Sequence, residues 1–235
     1  MRILILSAFL LNSLFAIEYY AKLEPVNSYV IKASVSGKVA YTNDKIEGKQ
    51  ASNSLVVKID SKVHDIELKE SKNKLKSLNE MVKIEELNFE RLSKISSRSA
   101  FEKDNQKLKV LNLTSQRSDL LIKIASLEDI VKNKKLVEKN SYIYNIAVKK
   151  GDYVNPGTTL YEAKDLTKAK VEIFVPIADV ETLNAKELFI DGVKSDLKIE
   201  KIYRVADAKH ISSYKVEIII PEVKNFSKLV KIEFK

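Results

Sequence analysis

Ser93-Lys94-Ile95-Ser96-Ser97-Arg98-Ser99 is a polar, serine-rich segment near the middle of this 235-residue chain. It lies within a stretch from Lys49 to Lys150 that has no glycine or proline, although the chain has five glycines and four prolines outside it. A compact domain of mixed structure needs these residues at its turns. The stretch therefore predicts long, uninterrupted helices on both sides of the serine-rich segment.

Apolar residues recur on both sides at alternating spacings of three and four. On the N-terminal side they are Leu68, Leu75, Leu78, Val82, Phe89 and Leu92, with Ser71 and Glu85 at the remaining positions. On the C-terminal side they are Val110, Leu113, Leu120, Ile124, Leu127 and Val131, with Arg117 as the interruption. Because such a repeat is typical of helices that pack along a seam, we expect the two helices to pack on each other.

Ser99 and Glu102 have the spacing of a capping box, in which a serine hydroxyl and a glutamate satisfy free backbone N–H groups at a helix start. This pair predicts that a second helix begins at Ala100. Residues 60–139 are therefore expected to form an antiparallel helical hairpin with its tip near residues 93–99. Each arm would extend roughly 50 Å at 1.5 Å per residue.

The flanking segments, residues 30–59 and 140–164, alternate apolar and polar residues in short runs separated by turn signals. The predicted turns contain Gly37, the pair Gly151-Asp152, and Gly157 after Pro156. Each segment has too few strands to bury a face by itself. We expect the two segments to pair with each other across the inserted hairpin.

The run from Val148 to Leu160, Val-x-x-Gly-Asp-x-Val-x-x-Gly-x-x-Leu, resembles the second half of the lipoyl-like module of membrane fusion proteins, the periplasmic adaptors of tripartite efflux pumps. Residues 33–39 resemble the first half. In that family a coiled-coil hairpin separates the two halves. The resemblance implies an elongated α+β fold, in which an antiparallel coiled-coil hairpin is inserted in a split lipoyl-like β-sandwich.

The resemblance continues beyond this module. Residues 170–176 and 177–183 resemble the first strand and short helix of the family's small β-barrel domain, which assigns residues 165–235 to that barrel. Residues 17–29 are left as an N-terminal strand or leader. Because little sequence precedes Tyr29 or follows the barrel, the chain resembles a minimal family member without the membrane-proximal domain.

At the hairpin tip the family pattern is an arginine, a leucine four residues later and a serine seven residues after that. Leu92 and Ser99 match the last two positions, whereas Asn88 occupies the first, and Arg91 lies one turn away. By resemblance, the outer-membrane channel would contact Leu92, Ser96, Arg98, Ser99 and Arg91.

The resemblance implies a non-enzymatic adaptor that links an inner-membrane transporter, of the resistance-nodulation-division (RND) type, to an outer-membrane channel of the TolC type. The resemblance also implies a homo-oligomer, either a hexamer or a trimer. Three alternatives stay open: an adaptor of an ABC exporter or type I secretion system, a structural periplasmic coiled-coil protein, and a lipoyl carrier modified at Lys45.

Residues 1–16 have the charged start, apolar centre and small final residue of a secretory signal peptide. Cleavage after Ala16 predicts a periplasmic protein associated with the inner membrane through its transporter. A retained anchor is the second interpretation, although a bilayer span needs about 20 apolar residues and Glu18 follows too soon.

The formal net charge is +9, but Lys, Asp and Glu are interspersed, so no nucleic-acid partner is expected. The chain has no cysteine and two distant histidines, His64 and His210. These residues suggest neither a catalytic triad nor a metal site. There is no glycine-rich phosphate loop either, and we expect no cofactor.

Overall fold

The computed structural model describes residues 17–235, so the predicted signal peptide lies outside the described residues. The α-helices in this range are α1 (Lys62–Ser93), α2 (Ala100–Asn133) and α3 (Ile177–Leu183), and a single 3₁₀ turn lies at Asp44–Ile46. The strands are β1 (Ile17–Lys22), β2 (Glu24–Lys32), β3 (Gly37–Thr42), β4 (Lys49–Gln50), β5 (Ser54–Ile59), β6 (Lys135–Glu138), β7 (Tyr142–Ile146), β8 (Tyr153–Val154), β9 (Thr159–Pro176), β10 (Leu188–Ile190), β11 (Val193–Ser195), β12 (Ile199–Tyr203), β13 (Ser213–Pro221) and β14 (Leu229–Phe234). The predicted α+β class is confirmed. No helix within residues 17–235 combines the length and the apolar character that crossing a membrane requires.

The described chain divides into two compact units. One unit contains residues 30–163. The other contains residues 17–29 together with residues 164–235. The long strand β9 begins in the first of these units and ends in the second.

In the unit of residues 30–163, α1 and α2 pack against each other in antiparallel orientation. Ion pairs join Lys72 to Glu128 at 2.5 Å and Glu67 to Lys123 at 2.8 Å, so the start of α1 lies beside the end of α2. The most buried apolar side chains of the pair are Leu78, Val82, Leu120, Ile124 and Leu127. The apolar stripes predicted from the sequence are therefore confirmed.

The two segments that flank the helices pair with each other. Antiparallel pairing joins β3 to β8, β4 to β7 and β5 to β6, so strands before α1 lie beside strands after α2. Residues 135–138 were assigned to the hairpin from the sequence. They form strand β6 instead, because they pair with β5 and continue the sheet in the order β6-β5-β3-β8.

A shared core lies beneath these strands. Its fully or nearly fully buried apolar residues are Ala33, Val39, Ala51, Val56, Val57, Ile59, Ile143, Ile146, Val148, Val154, Leu160, Tyr161 and Ala163. Residues from both flanking segments contribute, which is why neither segment is expected to fold alone.

Lys134 lies between the end of α2 and the start of β6, and its side chain is buried where the hairpin joins the sheet. Only 3% of the residue is exposed. Its ammonium donates to the main-chain carbonyl of Asp60 at 2.7 Å and lies 3.3 Å from Nδ1 of His64. The contact ties the end of α2 to the segment that precedes α1.

Gly37 is the first residue of β3, whereas the sequence suggested a tight turn at this position. The bend lies at Ser34 and Val35 instead. Gly37 is required for another reason: its φ is +156°, and a Cβ atom there would lie 2.7 Å from Cγ2 of Ile59. Close packing, rather than a turn, excludes a side chain.

The other unit contains two antiparallel sets of strands, β1-β14-β10-β11 and β12-β13-β9. Residues 17–29, which the sequence sets apart, belong to this unit because β1 pairs with β14 along its whole length, from Ile17 opposite Phe234 to Lys22 opposite Leu229. The short helix α3 covers residues 177–183, as predicted. The buried core is formed by Ala21, Leu23, Ala169, Val171, Ile173, Val175, Val180, Leu183, Leu188, Val216, Ile218, Val230, Ile232 and Phe234.

Candidate contact surface at the hairpin tip

The connection between α1 and α2 is a short, hydrogen-bonded turn. The backbone N–H groups of Lys94 and Ile95 donate to the carbonyls of Arg91 and Leu92 at 3.3 and 3.2 Å, which extends the last turn of α1. From the opposite helix, Lys103 Nζ donates to the carbonyl of Ser93 at 3.2 Å. The two helix ends are thereby joined across the tip.

The capping box predicted at Ser99 and Glu102 is confirmed. The Glu102 N–H donates to Ser99 Oγ at 3.2 Å, and the Ser99 N–H donates to a Glu102 carboxylate oxygen at 3.0 Å. The backbone hydrogen bond from Ser99, and next the hydrogen bond from Arg98 at 2.9 Å, lower the pKa of the Glu102 carboxyl below its ordinary value. The carboxylate form thus stabilises the start of α2.

The structure places the predicted contact residues in two environments. Leu92 is half-buried at the last apolar position of the α1 stripe and continues the seam between the helices. Arg91, Ser96, Arg98 and Ser99 are exposed. The Ser99 hydroxyl is engaged in the cap and Arg98 is hydrogen-bonded to Glu102, so Ser96 and Arg91 are the predicted polar residues most available to a partner.

Two apolar residues at the tip were not predicted from the sequence. Phe101, in the first turn of α2, is 73% exposed, and Ile95, in the turn, is 43% exposed. Both lie off the apolar stripes that form the seam. The sequence does contain a signal for them, because both residues lie outside the repeat of three and four that defines the seam. Large apolar side chains that a fold does not bury are typical of contact surfaces.

Charge at the tip is mostly paired. Lys94 forms an ion pair with Glu90 at 2.6 Å, and Arg98 forms one with Glu102. Within residues 17–235, Arg91 forms no ion pair. The tip therefore combines one unpaired guanidinium with two exposed apolar side chains on a turn whose backbone is held in place.

Comparison with protein-family models and with curated proteins finds no match. Comparison with solved structures finds clear similarity. The MacA–MexA chimeric protein, which contains the α-hairpin domain of Pseudomonas aeruginosa MexA, is 17% identical with a TM-score of 0.68, over 94% of this chain and 80% of that one. The membrane fusion protein Spr0693 from Streptococcus pneumoniae R6 is 12% identical with a TM-score of 0.68, and the match covers 93% of this chain and 98% of that one. MacA from Actinobacillus actinomycetemcomitans is 19% identical with a TM-score of 0.59, and the match covers 94% of this chain and 78% of that one.

This chain has the membrane fusion protein fold.

Within this membrane fusion fold, the predicted turn residues hold the two halves of the sheet together. The Gly157 N–H donates to the carbonyl of Ala33 at 2.8 Å, and the Gly151 N–H donates to that of Val39 at 2.9 Å. The Asp152 carboxylate accepts the Lys149 N–H at 2.8 Å and closes its own turn. Gly151, Asp152 and Gly157 therefore have a structural role.

The two histidines of the membrane fusion fold are engaged in local contacts. His64 contacts Lys134, and the His210 ring stacks on Phe174 with ring centroids 3.5 Å apart. His210 also contacts the Asp207 carboxylate at 3.1 Å. Within residues 17–235, no three His, Cys, Asp or Glu side chains cluster in an arrangement suited to a metal ion.

Proposed function

We propose that this chain is a periplasmic adaptor that connects an inner-membrane transporter of the RND type with an outer-membrane channel in a tripartite efflux pump. In this role residues 30–59 and 140–164 are the lipoyl-like module, and residues 165–235 form the β-barrel. The function includes no chemical step. Transported molecules pass through the assembly unchanged.

The observation that carries the proposal is the ordered, exposed tip at the end of two packed helices. α1 and α2 have 32 and 34 residues, so the tip lies about 50 Å from the strands that hold the hairpin. Helical termini with a fixed turn, an unpaired Arg91 and exposed Phe101 and Ile95 suit docking against the helices of another protein. A hairpin with a purely structural role has no need for such a tip.

Exposed apolar residues along the hairpin support assembly of several copies. On α1 these are Met81, Ile84 and Leu87, and on α2 they are Leu108, Leu111 and Ile122. Each set lies on one side of its helix, away from the seam. Side-by-side packing of hairpins buries both sets, which agrees with the hexamer or trimer expected from the family resemblance.

Cysteine crosslinking in living cells tests the docking. The chain has no cysteine, so Ser96→Cys introduces a single reactive thiol at the tip. A matched control is Asn73→Cys, which is exposed in the middle of α1. We expect a reagent with one thiol-reactive end and one photoreactive end to capture an outer-membrane channel from position 96 and not from position 73. Capture from neither position, with both variants folded and exported, contradicts the proposal and favours the structural coiled-coil alternative.

The transporter class needs a separate experiment. An ABC exporter adaptor has the same tip and the same hairpin, so only the inner-membrane partner differs. Val193 is strongly exposed in the unit that contains residues 164–235 and offers a second crosslinking position. Mass spectrometry of proteins captured from Val193→Cys distinguishes an RND transporter from a membrane protein with an ATP-binding subunit.

A further inference from the structure

The outer face of the sheet β6-β5-β3-β8 carries lysine and tyrosine side chains that the proposed docking does not use. Lys135 on β6 lies directly opposite Lys58 on β5, and Lys58 lies directly opposite Tyr41 on β3. Directly opposite residues project from the same face of a sheet. These three side chains therefore form one row across three strands.

A second pair lies on the same face. Lys38 on β3 is directly opposite Tyr153 on β8, and it precedes the fully buried Val39, so it projects outward. The pairing of β3 with β5 shifts register between Val39 and Tyr41, which brings Tyr41 to the outer face as well. Lys38 and Tyr41 are about 10 Å apart along the strand.

The rings on this face are available to a ligand. Tyr153 is 69% exposed and Tyr41 is 42% exposed. Val137 on β6 is 47% exposed and pairs with Leu55, so it lies on the side of the first row that faces away from Lys38. The result is a flat patch, about 10 Å by 15 Å from the strand spacing, with tyrosines near two corners.

The positive charge of the patch is not compensated within the protein. Across residues 17–235, none of Lys38, Lys58 and Lys135 forms an ion pair. The Asp60 carboxylate feels the charge of Lys58, but its pKa is lowered first by a backbone hydrogen bond from Lys62 and further by the charges of Lys62, Lys134 and Lys58. Its carboxylate accepts the Lys62 N–H at 3.0 Å and so caps α1.

Like charges that lie directly opposite each other across a strand pair destabilise a sheet. The Lys58–Lys135 pair is therefore unfavourable for folding, and an anion bound on this face would make it favourable. Small-molecule sites are concave. A flat face with two separated tyrosine rings fits an extended polymer better than a compact ligand.

We propose that this face binds a carboxylate-bearing glycan, with Tyr41 and Tyr153 stacking on sugar rings and the three lysines pairing with carboxylates. Peptidoglycan has this chemistry, because its glycan strands supply the sugar rings and the attached peptides supply the carboxylates. The choice of peptidoglycan as the ligand rests on the proposed periplasmic function. The description of the lysine and tyrosine surface rests on the strand pairing alone. Binding would hold the adaptor at the cell wall that its hairpin has to cross.

Cosedimentation of the purified full chain with purified peptidoglycan sacculi tests this proposal. The key variant is Lys58→Glu, which replaces the like-charge pair by an attractive pair with Lys135. We expect it to unfold at a higher denaturant concentration than the wild type and to bind sacculi at least 10-fold more weakly. Loss of binding in a stabilised protein excludes unfolding as the cause. Lys74→Glu, on an exposed position of α1, makes the same change of net charge and should bind normally.

Tyr153→Ala tests the stacking and should also weaken binding, with little dependence on salt. Equal sedimentation of the wild type and Lys58→Glu overturns the proposal, as does the absence of wild-type binding. Retention on immobilised polyglutamate without binding to sacculi also overturns it and identifies an acidic protein as the partner. None of these results affects crosslinking from position 96, so failure of this proposal and failure of the adaptor function are distinguishable.

Discussion

Gln106 on α2 donates hydrogen bonds from Nε2 to both the carboxylate and the main-chain carbonyl of Glu85 on α1. Glu85, one of the polar residues in the α1 stripe, thus lies opposite Gln106, which is four residues before the first apolar residue of the α2 stripe. A polar pair of this kind fixes the register of two packed helices, because any other register leaves the carboxylate without a donor.

Replacement of Gln106 by leucine should therefore destabilise the hairpin, although leucine is the more apolar residue. The Glu85 carboxylate would lose its donor while it stays half-buried, which costs about 1–3 kcal/mol in the free energy of unfolding. The double variant Glu85→Leu/Gln106→Leu should be at least as stable as the wild type. Urea unfolding followed by far-UV circular dichroism measures both. A single Gln106→Leu variant as stable as the double variant would contradict a paired role.

Removal of the cap at the tip should loosen the start of α2. Ser99→Ala deletes the oxygen that accepts the Glu102 N–H, and loss of such a cap costs about 1 kcal/mol. Hydrogen exchange at the amides of residues 101–103 should become faster. Ser97→Ala is the matched control, because Ser97 is an exposed turn residue outside the cap. Equal exchange in the two variants argues against the cap.

The tip should also loosen in acid. The pKa of Glu102 is lower in the folded protein than its unfolded value of about 4.3, so its contribution to stability is complete above that value. The contribution is lost as the pH falls through the folded pKa. Amide exchange at the tip, corrected for the intrinsic effect of pH, should therefore increase below about pH 4. In Glu102→Gln, which cannot titrate, the corrected exchange should be independent of pH.

A methyl group at Gly37 should destabilise the sheet strongly. It would meet Ile59 Cγ2 at 2.7 Å, and the positive φ adds strain. We expect Gly37→Ala to lower the free energy of unfolding by about 2 kcal/mol or more. Gly151→Ala also faces a positive φ, of +105°, but a Cβ there meets nothing within 4 Å. The difference between the two variants in thermal unfolding isolates the steric part, and equal losses would assign the effect to φ alone.

The hairpin was predictable because its signals are local. A repeat of three and four residues defines each stripe, and Ser99 with Glu102 specifies the helix start, whatever the rest of the chain does. The same holds for α3. Such patterns do not depend on which distant residues pack against them.

The strand partners were less predictable. Nothing in residues 17–22 indicates that they pair with the last strand, where Tyr19 meets the edge of the Phe234 ring with centroids 6.4 Å apart. Pairing across more than 200 residues is decided by the whole fold. Lys134 is a similar case: a lysine is normally solvent-exposed, and only the fold shows that the Asp60 carbonyl receives its ammonium.

The two arms of the hairpin enter and leave the sheet through adjacent strands, where Lys58 on β5 is directly opposite Lys135 on β6. The hydrogen bonds between β5 and β6 therefore transmit a force on one arm to the other. Lys134, bonded to the Asp60 carbonyl, adds a further link between the two arms at this point. The arms cannot separate at their root unless these bonds break. A force applied at the tip of the hairpin is consequently shared by β5 and β6.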